Sequence, residues 1–499
     1  MKSLALEVIL ILAGGLRACC QEGFVVEFDS VQQYHAAGGR SVREVDWGYV
    51  LFGHQVTHDG SDRGRCMVYR LGPQGTLLSR TEWDTTAYYD YNFGFMDPVA
   101  ESPEGFVSAV SRFNGTEDMV FFYRFDANGE LLTRDSILYC CTTDSVDFGI
   151  QNTRPTADGG YIMTGYWDAA SVSSRMLLLK VDSARNLEWQ QEWGMNGTLH
   201  IGHGVAQYTD GGYVVTGLRF GGGVTERGWL RRTDNLGNGM WTRYYGGFSA
   251  NGEAVRVDAG GFIYTWSEFS EQFPAYPYAM LRKWSSDGDV VWDTRTHYFQ
   301  NTRSRDFELL ADGNIITCGG QSTTAFIAKY SAEGDSLWSR YLHVFDVWAF
   351  HDLFDVTPTS DGGFVLTGNV IQAEADPTPT LQTLWVIKTD SLGCVVPGCQ
   401  NVGVQEYVLD LQPLLRASPN PASDLVQVAL DLPEGGEVEG RASVQLLDVS
   451  GRLVLESSVQ QHLNQLRTTL DVSALPAGTY YLHLRDAKRW LAGSKVVVE

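Results

Sequence analysis

The chain has 499 residues, with 60 acidic against 37 basic side chains and a net charge of −23. A surface this acidic would be repelled by phosphate backbones, which excludes nucleic acid as a partner. Aromatic residues at 12% and charged ones at only 19%, beside 54 glycines, exclude a disordered chain and fit a β-rich body with many tight turns.

Met1-Lys2 starts the chain with a positive charge, Leu4 to Leu16 is apolar, and Ala18-Cys19-Cys20 supplies small side chains. This order predicts a secretory signal peptide over residues 1–20, cleaved before Gln21. Lipidation at Cys19 is the alternative; Arg17 stands where that motif wants a small residue. Beyond this segment no run of ~18 apolar residues occurs, so no transmembrane helix is expected. In an exported chain the remaining cysteines permit disulfides. Cys394 and Cys399 bracket the turn-forming Val-Val-Pro-Gly and are the expected pair, while the pairing of Cys66, Cys140, Cys141 and Cys318 stays open.

Self-similarity dominates the middle of the chain. A Gly-aromatic step recurs at Tyr49, Phe106, Tyr161, Tyr213, Phe262 and Phe364, with Ile315 in the sixth place, at a period of about 52 residues. Asp158-Gly-Gly-Tyr161, Asp210-Gly-Gly-Tyr213 and Asp361-Gly-Gly-Phe364 read as tight turns entering alternating strands. A second strand follows, as in Met176-Leu-Leu-Leu-Lys-Val-Asp182 and Leu384-Trp-Val-Ile-Lys-Thr-Asp390. Then come a turn glycine and a Trp four residues on, as in Gly237 to Trp241 and Gly334 to Trp338. Four short strands per repeat, seven times over, predict an all-β, seven-bladed β-propeller over residues 21–399. Repeat seven lacks an outer strand of its own, and Phe24-Val-Val-Glu-Phe28 is expected to supply it.

These repeats resemble the Asp-Gly-Gly-Tyr-x-x-x-Gly propeller repeats of secreted bacterial proteins. After a linker at 400–415 the pattern changes. Ser418-Pro-Asn-Pro421, Leu425 to Leu430, Val444 to Val454 around Gly451, Leu470 to Leu482 with Gly478 and Tyr480, and Ser494-Lys-Val-Val-Val498 are short alternating strands between turns. In this order residues 416–499 resemble the type IX secretion C-terminal sorting domain, with Pro419, Asn420, Pro421, Gly451, Gly478, Tyr480 and Lys495 carrying the motif. The resemblance implies a small Ig-like β-sandwich, the type IX secretion machinery of Bacteroidota as partner, and passage through the periplasm to the outer cell surface or the medium. Glu499 departs from the family, which often ends on a basic residue.

A search for chemistry finds no phosphate loop, no His-Glu-x-x-His and no Gly-x-Ser-x-Gly. His200 and His203 fall on opposite faces of a strand and are expected to be packed or solvated rather than to share a metal. No catalytic residue is nominated. Two groups suggest binding. Tyr88, Tyr89 and Tyr91, with Phe93 and Phe95, lie where repeat one hands over to repeat two; Phe269, Phe273 and Tyr276, with Tyr278, lie between the second and third strands of repeat five. In a propeller both connections emerge on one face, where aromatics stack on sugar rings or anchor proteins. Nine residues before each aligned step stand Arg40, Asp97, Asn152, Gly204, Glu253, Asp306 and Asp355. Their carboxylates predict an acidic ring, with Glu253, Asp306 and Asp355 as a weak calcium site and no other cofactor. The expected protein is a monomeric, exported, non-enzymatic binding protein for a glycan, matrix or protein ligand; the alternative is a secreted polysaccharide hydrolase or lyase working at one propeller face.

Overall fold

The computed structural model describes residues 23–28, 34–57, 64–83, 99–102, 105–113, 118–139, 145–169, 173–194, 197–221, 224–246, 249–270, 277–295, 302–321, 323–342, 349–372, 381–395, 415–432, 441–449, 451–462, 465–486 and 490–499. Among these every regular element is a strand, and no helix is long and apolar enough to cross a membrane. The signal segment and residues 400–414 of the expected linker lie outside the described residues, while Leu415 already opens a strand.

In the repeat region the strands form sheets of four antiparallel strands, consistent with a β-propeller. Five units are separate sheets, at 99–139, 145–193, 198–245, 249–295 and 302–342. Units one (34–82) and seven (349–389) are joined into one sheet by a single parallel bridge, Ala36 to Gln382. The expected closing strand is present: Phe24–Phe28 pairs antiparallel with Leu381–Thr389 as the fourth strand of unit seven. Apolar clusters lie between successive units in cyclic order. Val50, Phe52 and Val68 of unit one meet Phe106 and Tyr123 of unit two, and so on around to unit seven, whose Val365, Leu384 and Val386 meet Val42, Leu51 and Tyr69 of unit one. Each sheet therefore buries both faces against neighbours, which one sheet cannot do alone.

The repeated motifs are contacts between strands or units. In the Asp-Gly-Gly turn, Gly159 sits at φ +82° and donates its N–H to the Thr156 carbonyl, a left-handed position that favours glycine. The Asp before it holds the basic residue of the third strand: Asp158 with Lys180 at 2.9 Å, Asp361 with Lys388 at 3.1 Å, and Asp210 with Arg232. The second-turn glycine belongs to the Trp of the preceding unit. A β-carbon at Gly237 would lie 2.6 Å from the Trp189 ring, and Gly288, Gly334 and Gly393 repeat the contact on Trp241, Trp292 and Trp338. At the closure Gly75 faces Phe24 in the same way. Phe24 opposes Lys388 in register as Trp338 opposes Lys329, so it takes the Trp position of unit seven.

The C-terminal region has two four-stranded sheets. Leu415–Ser418, Leu425–Asp431, Gln465–Asp471 and Gln460–His462 form one; Leu453–Ser458, Ser443–Leu447, Gly478–Arg485 and Trp490–Val498 form the other. Their inward residues, among them Val426, Leu430, Val444, Leu482 and Val496, make one core.

Candidate functional site

In six of the units, all but unit two, the first strand is interrupted by a β-bulge among the described residues. Register shifts fall between Gly39 and Ser41, Ile150 and Asn152, Gly202 and Gly204, Gly252 and Ala254, Ser304 and Asp306, and Leu353 and Asp355. The extra residues are Arg40, Gln151, His203, Glu253, Arg305 and Phe354. A bulge re-aims a side chain, and these approach one another in unit order. His203 Nδ1 lies 4.0 Å from Glu253, and the guanidinium groups of Arg305 and Arg40 lie 5.0 and 4.2 Å from the centre of the Phe354 ring.

This register corrects the ring counted from the sequence. Arg40 and Glu253 stand at the bulge, whereas Asn152, Gly204, Asp306 and Asp355 stand one residue later. The counting slipped because the first turn of unit one has two residues, Asp46-Trp47, against five in unit three. In unit five the equivalent of Tyr161 is Ile263, which pairs with Val257, and not Phe262. Asp97 lies outside the described residues.

Asp355 and Asp306 of this set are paired with arginines, whereas Glu253 is paired with an asparagine. Asp355 Oδ2 accepts from the Val42 N–H and from Arg43 Nη1, both at 2.7 Å, which ties unit seven to unit one. Arg256 donates to Asp306 at 2.8 Å and to Glu308 at 2.6 Å. Arg305 donates twice to Asp352 Oδ2, at 3.0 and 2.6 Å. Glu253 accepts from Asn251 Nδ2 at 2.6 Å. Among the described residues no group of three His, Cys, Asp or Glu side chains is placed to hold a metal ion. Burial lowers the pKa of His203 to about 4, and Arg305 reinforces this, so its imidazole is neutral at physiological pH. Burial and nearby carboxylates push the Cys318 thiol up, so it stays protonated rather than nucleophilic. Inter-unit ion pairs thus tie the first strands of units five and six and of units seven and one.

Of the predicted aromatics, Phe269 packs on Tyr278 with centroids 5.4 Å apart, and Arg295 lies 4.6 Å from the Tyr278 ring. Tyr88, Tyr89, Tyr91, Phe273 and Tyr276 lie outside the described residues, as does Cys399. The two histidines do face opposite ways: His203 Nδ1 is 3.2 Å from the Gly252 carbonyl of unit five, while His200 lines a cavity shared with unit three.

That cavity was not legible in the sequence. It measures about 200 Å3 and lies between Met176, Trp193 and Gly194 of unit three and His200, Trp229, Arg231, Thr242 and Tyr244 of unit four. Strand register brings the second set together. His200 opposes Arg219, which opposes Arg227; Trp229 opposes Tyr244, and Arg231 opposes Thr242. With a side-chain period of two, Arg227, Trp229 and Arg231 share one sheet face. The cavity lies toward the end of the sheets where innermost strands begin and outermost strands finish, the end to which the sequence assigned the aromatic-rich connections.

The sorting-motif residues have local structural roles. Asn420 acts as a piece of strand: its Nδ2 donates to the Lys495 carbonyl at 2.7 Å and its Oδ1 accepts the Val497 N–H at 2.8 Å. Ala422, just past Pro421, then bridges in parallel to Val498. Gly451 closes its turn with a 2.8 Å bond to the Asp448 carbonyl. Tyr480, near Gly478, is buried and donates to the Pro476 carbonyl at 2.7 Å.

Residues 417–499 match the family described as the secretion system C-terminal sorting domain. The chain is accordingly exported by the type IX system to the cell surface or extracellular space, and its sorting domain engages that machinery. No curated protein matches the chain in sequence. Among solved structures it is similar to a puromycin hydrolase, at 12% identity and TM-score 0.45 over 79% of this chain and 58% of that one. An ulvan lyase, a polysaccharide lyase, gives 9% and 0.44 over 75% and 98%. A protein of unknown function from Bacteroides caccae gives 10% and 0.34 over 61% and 93%.

Proposed function

We propose that the protein is a non-enzymatic binding protein: a seven-bladed β-propeller over residues 21–399 that captures a glycan, matrix component or surface protein outside the cell. A signal peptide at 1–20 starts its export, a linker at 400–415 follows the propeller, and an Ig-like sorting domain at 416–499 completes the export. A Cys394–Cys399 disulfide closes the end of the propeller. One observation carries the binding reading. Acids of the first strands are paired with arginines of neighbouring units, as in Arg43 with Asp355 and Arg256 with Asp306, while a cavity between units three and four is walled by aromatic rings and hydrogen-bond donors. Paired, buried carboxylates hold the ring together and are poorly suited to proton transfer, whereas an aromatic cavity with a few convergent polar groups suits ligand capture. The test is a glycan and surface-protein array with the purified secreted chain, run beside a screen for depolymerisation of the bound glycans. Binding without turnover is expected. Chain cleavage of a bound polysaccharide would replace this reading with the hydrolase or lyase alternative.

A further inference from the structure

The cavity between units three and four is cationic in a chain that is otherwise acidic. Arg219, Arg227 and Arg231 lie on the sheet face that forms its wall, and none of the three makes an ion pair among the described residues. At the bulged first strands the arrangement is the opposite: Arg43, Arg256 and Arg305 each reach a carboxylate at 2.8 Å or less. With 60 acidic side chains available against 37 basic ones, three neighbouring arginines without an acid are not a matter of composition.

Aromatic rings hold two of these arginines. The Arg231 guanidinium lies 4.3 Å from the centre of the Trp193 ring, and that of Arg219 lies 5.2 Å from the Tyr244 ring. Such stacking fixes a guanidinium without neutralising it and leaves its N–H edge for an in-plane acceptor. Arg231 spends Nη1 on Thr242 Oγ1 at 3.0 Å, and its buried Nε has no acceptor. The Trp229 indole N–H is likewise buried without an acceptor, on a residue only 4% exposed. His200 contacts Thr198 Oγ1 through Nδ1 at 3.1 Å. An indole N–H and a guanidinium donate and cannot accept, so the missing ligand is rich in acceptors and, given the arginines, anionic.

Its size and shape narrow the class. About 200 Å3 is below the roughly 300–1,000 Å3 of sites that enclose drug-sized molecules, so one ring enters and the rest of the ligand stays outside. Met176 and Trp229 give apolar wall between the donors, which fits a ring carrying both C–H surface and oxygen atoms. We infer that the cavity seats one anionic sugar residue, carboxylated or sulfated, of an acidic polysaccharide, with its charged group on Arg231 and a ring or hydroxyl oxygen on the Trp229 indole N–H. This rests on the binding reading above and names its ligand class. An acidic peptide would also satisfy the arginines and is an outcome of the test.

The experiment measures binding of the full secreted chain to sodium polygalacturonate, dextran sulfate, neutral dextran and poly-glutamate by titration calorimetry. Binding to at least one of the two anionic polysaccharides, weakened by salt, is expected, with neither neutral dextran nor poly-glutamate matching it. Arg231→Gln should lower that affinity at least tenfold. Trp229→Phe, which keeps an aromatic wall and removes the N–H, should lower it severalfold, with the melting temperature of each variant near the parent's. Arg219→Gln serves as a second variant if Arg231→Gln does not fold. Polysaccharide binding unchanged in Arg231→Gln and Arg219→Gln would overturn this site and leave the binding function standing. Poly-glutamate binding as tight as the polysaccharides, and lost with the same variants, would overturn the sugar assignment. Absence of any ligand across these polymers and the wider array would overturn the binding function itself.

Discussion

The two ends of the fourth sheet answer charge in opposite ways. At the end where its first and second strands meet, Asp210 of the Asp-Gly-Gly turn reaches buried Arg232, and Asp234 accepts the backbone N–H groups of Leu236 and Asn238 in the following turn. At the other end Arg219, Arg227 and Arg231 make no ion pair among the described residues. The first end repeats around the region, as Asp158 with Lys180 and Asp361 with Lys388; it is architecture. The second departs from the repeats and from the chain's net charge, and a departure of this kind is where a ligand leaves its mark.

Breaking the architectural end should have the largest effect. Lys388 is fully buried, and burial lowers its pKa while Asp361 pulls it back up. Asp361→Ala removes the counter-charge and leaves the ammonium stranded, which should cost about 3 kcal/mol. A urea titration reads this as a lower midpoint at unchanged slope. Retention of the parental midpoint would show that the turn carboxylates are decorative and would dissolve the contrast. Next in size is the closing strand. Phe24 packs edge-on to Tyr49 at 5.6 Å and fills the Trp place of unit seven. Phe24→Ala should cost about 2 kcal/mol, less than a fully buried aromatic because the ring is only partly buried. Thermal melts of the purified chain would register it.

The repeats, the turn glycines, the Trp four residues after them and the closing strand were legible because each is a local pattern of turn chemistry and alternation; that each glycine seats the Trp of the preceding unit was not. The position of the bulges was not. Turn lengths differ by three residues between units one and three, and counting back from an aromatic cannot see an inserted residue. In unit five the turn is of ordinary length, but the aromatic Phe262 was aligned in place of Ile263, so Glu253 entered the acidic ring in the register of Asp306 although Ala254 is the true equivalent. The arginine face was hidden for a related reason. Arg219 and Arg227 become neighbours only once their strands pair, and Trp193 reaches Arg231 only across two units. The signal in the sequence was Arg227-Gly-Trp-Leu-Arg-Arg232, a third strand with three arginines where other repeats carry one or two basic residues.

A smaller effect separates the bulged first strands from the cavity by pH. Burial lowers the pKa of His54 to about 3 and those of His200 and His203 to about 4, each assisted by a nearby arginine. A histidine held neutral in the folded state takes up protons preferentially when unfolded. Its contribution is therefore intact above about pH 6.5 and lost progressively as pH falls toward the folded value. For His203 that loss amounts to roughly 2 kcal/mol at pH 5. His203→Gln should flatten the fall in melting temperature between pH 7 and 5. His200→Gln should also flatten it and, because His200 lines the cavity, alter ligand binding as well. Identical profiles for parent and His203→Gln would mean that the His203 imidazole protonates freely in the folded state.

The smallest expected change is the most discriminating. Arg227 stands directly opposite Arg219 in register, and like charges so placed destabilise a sheet. Neither has a carboxylate to offset the repulsion among the described residues. Arg227→Gln removes one positive charge from an acidic protein, a change that would weaken it if the arginine served the fold. The prediction has the other sign: stability unchanged or raised by up to about 0.5 kcal/mol in low salt, with the difference fading as salt screens the pair. Urea midpoints at low and high ionic strength test this. A clear loss of stability would place Arg227 in a structural contact and return this end of the sheet to the same class as the Asp210 end. A gain that disappears in salt means that the three arginines are kept together at a cost to the fold, which the fold alone gives no reason to bear.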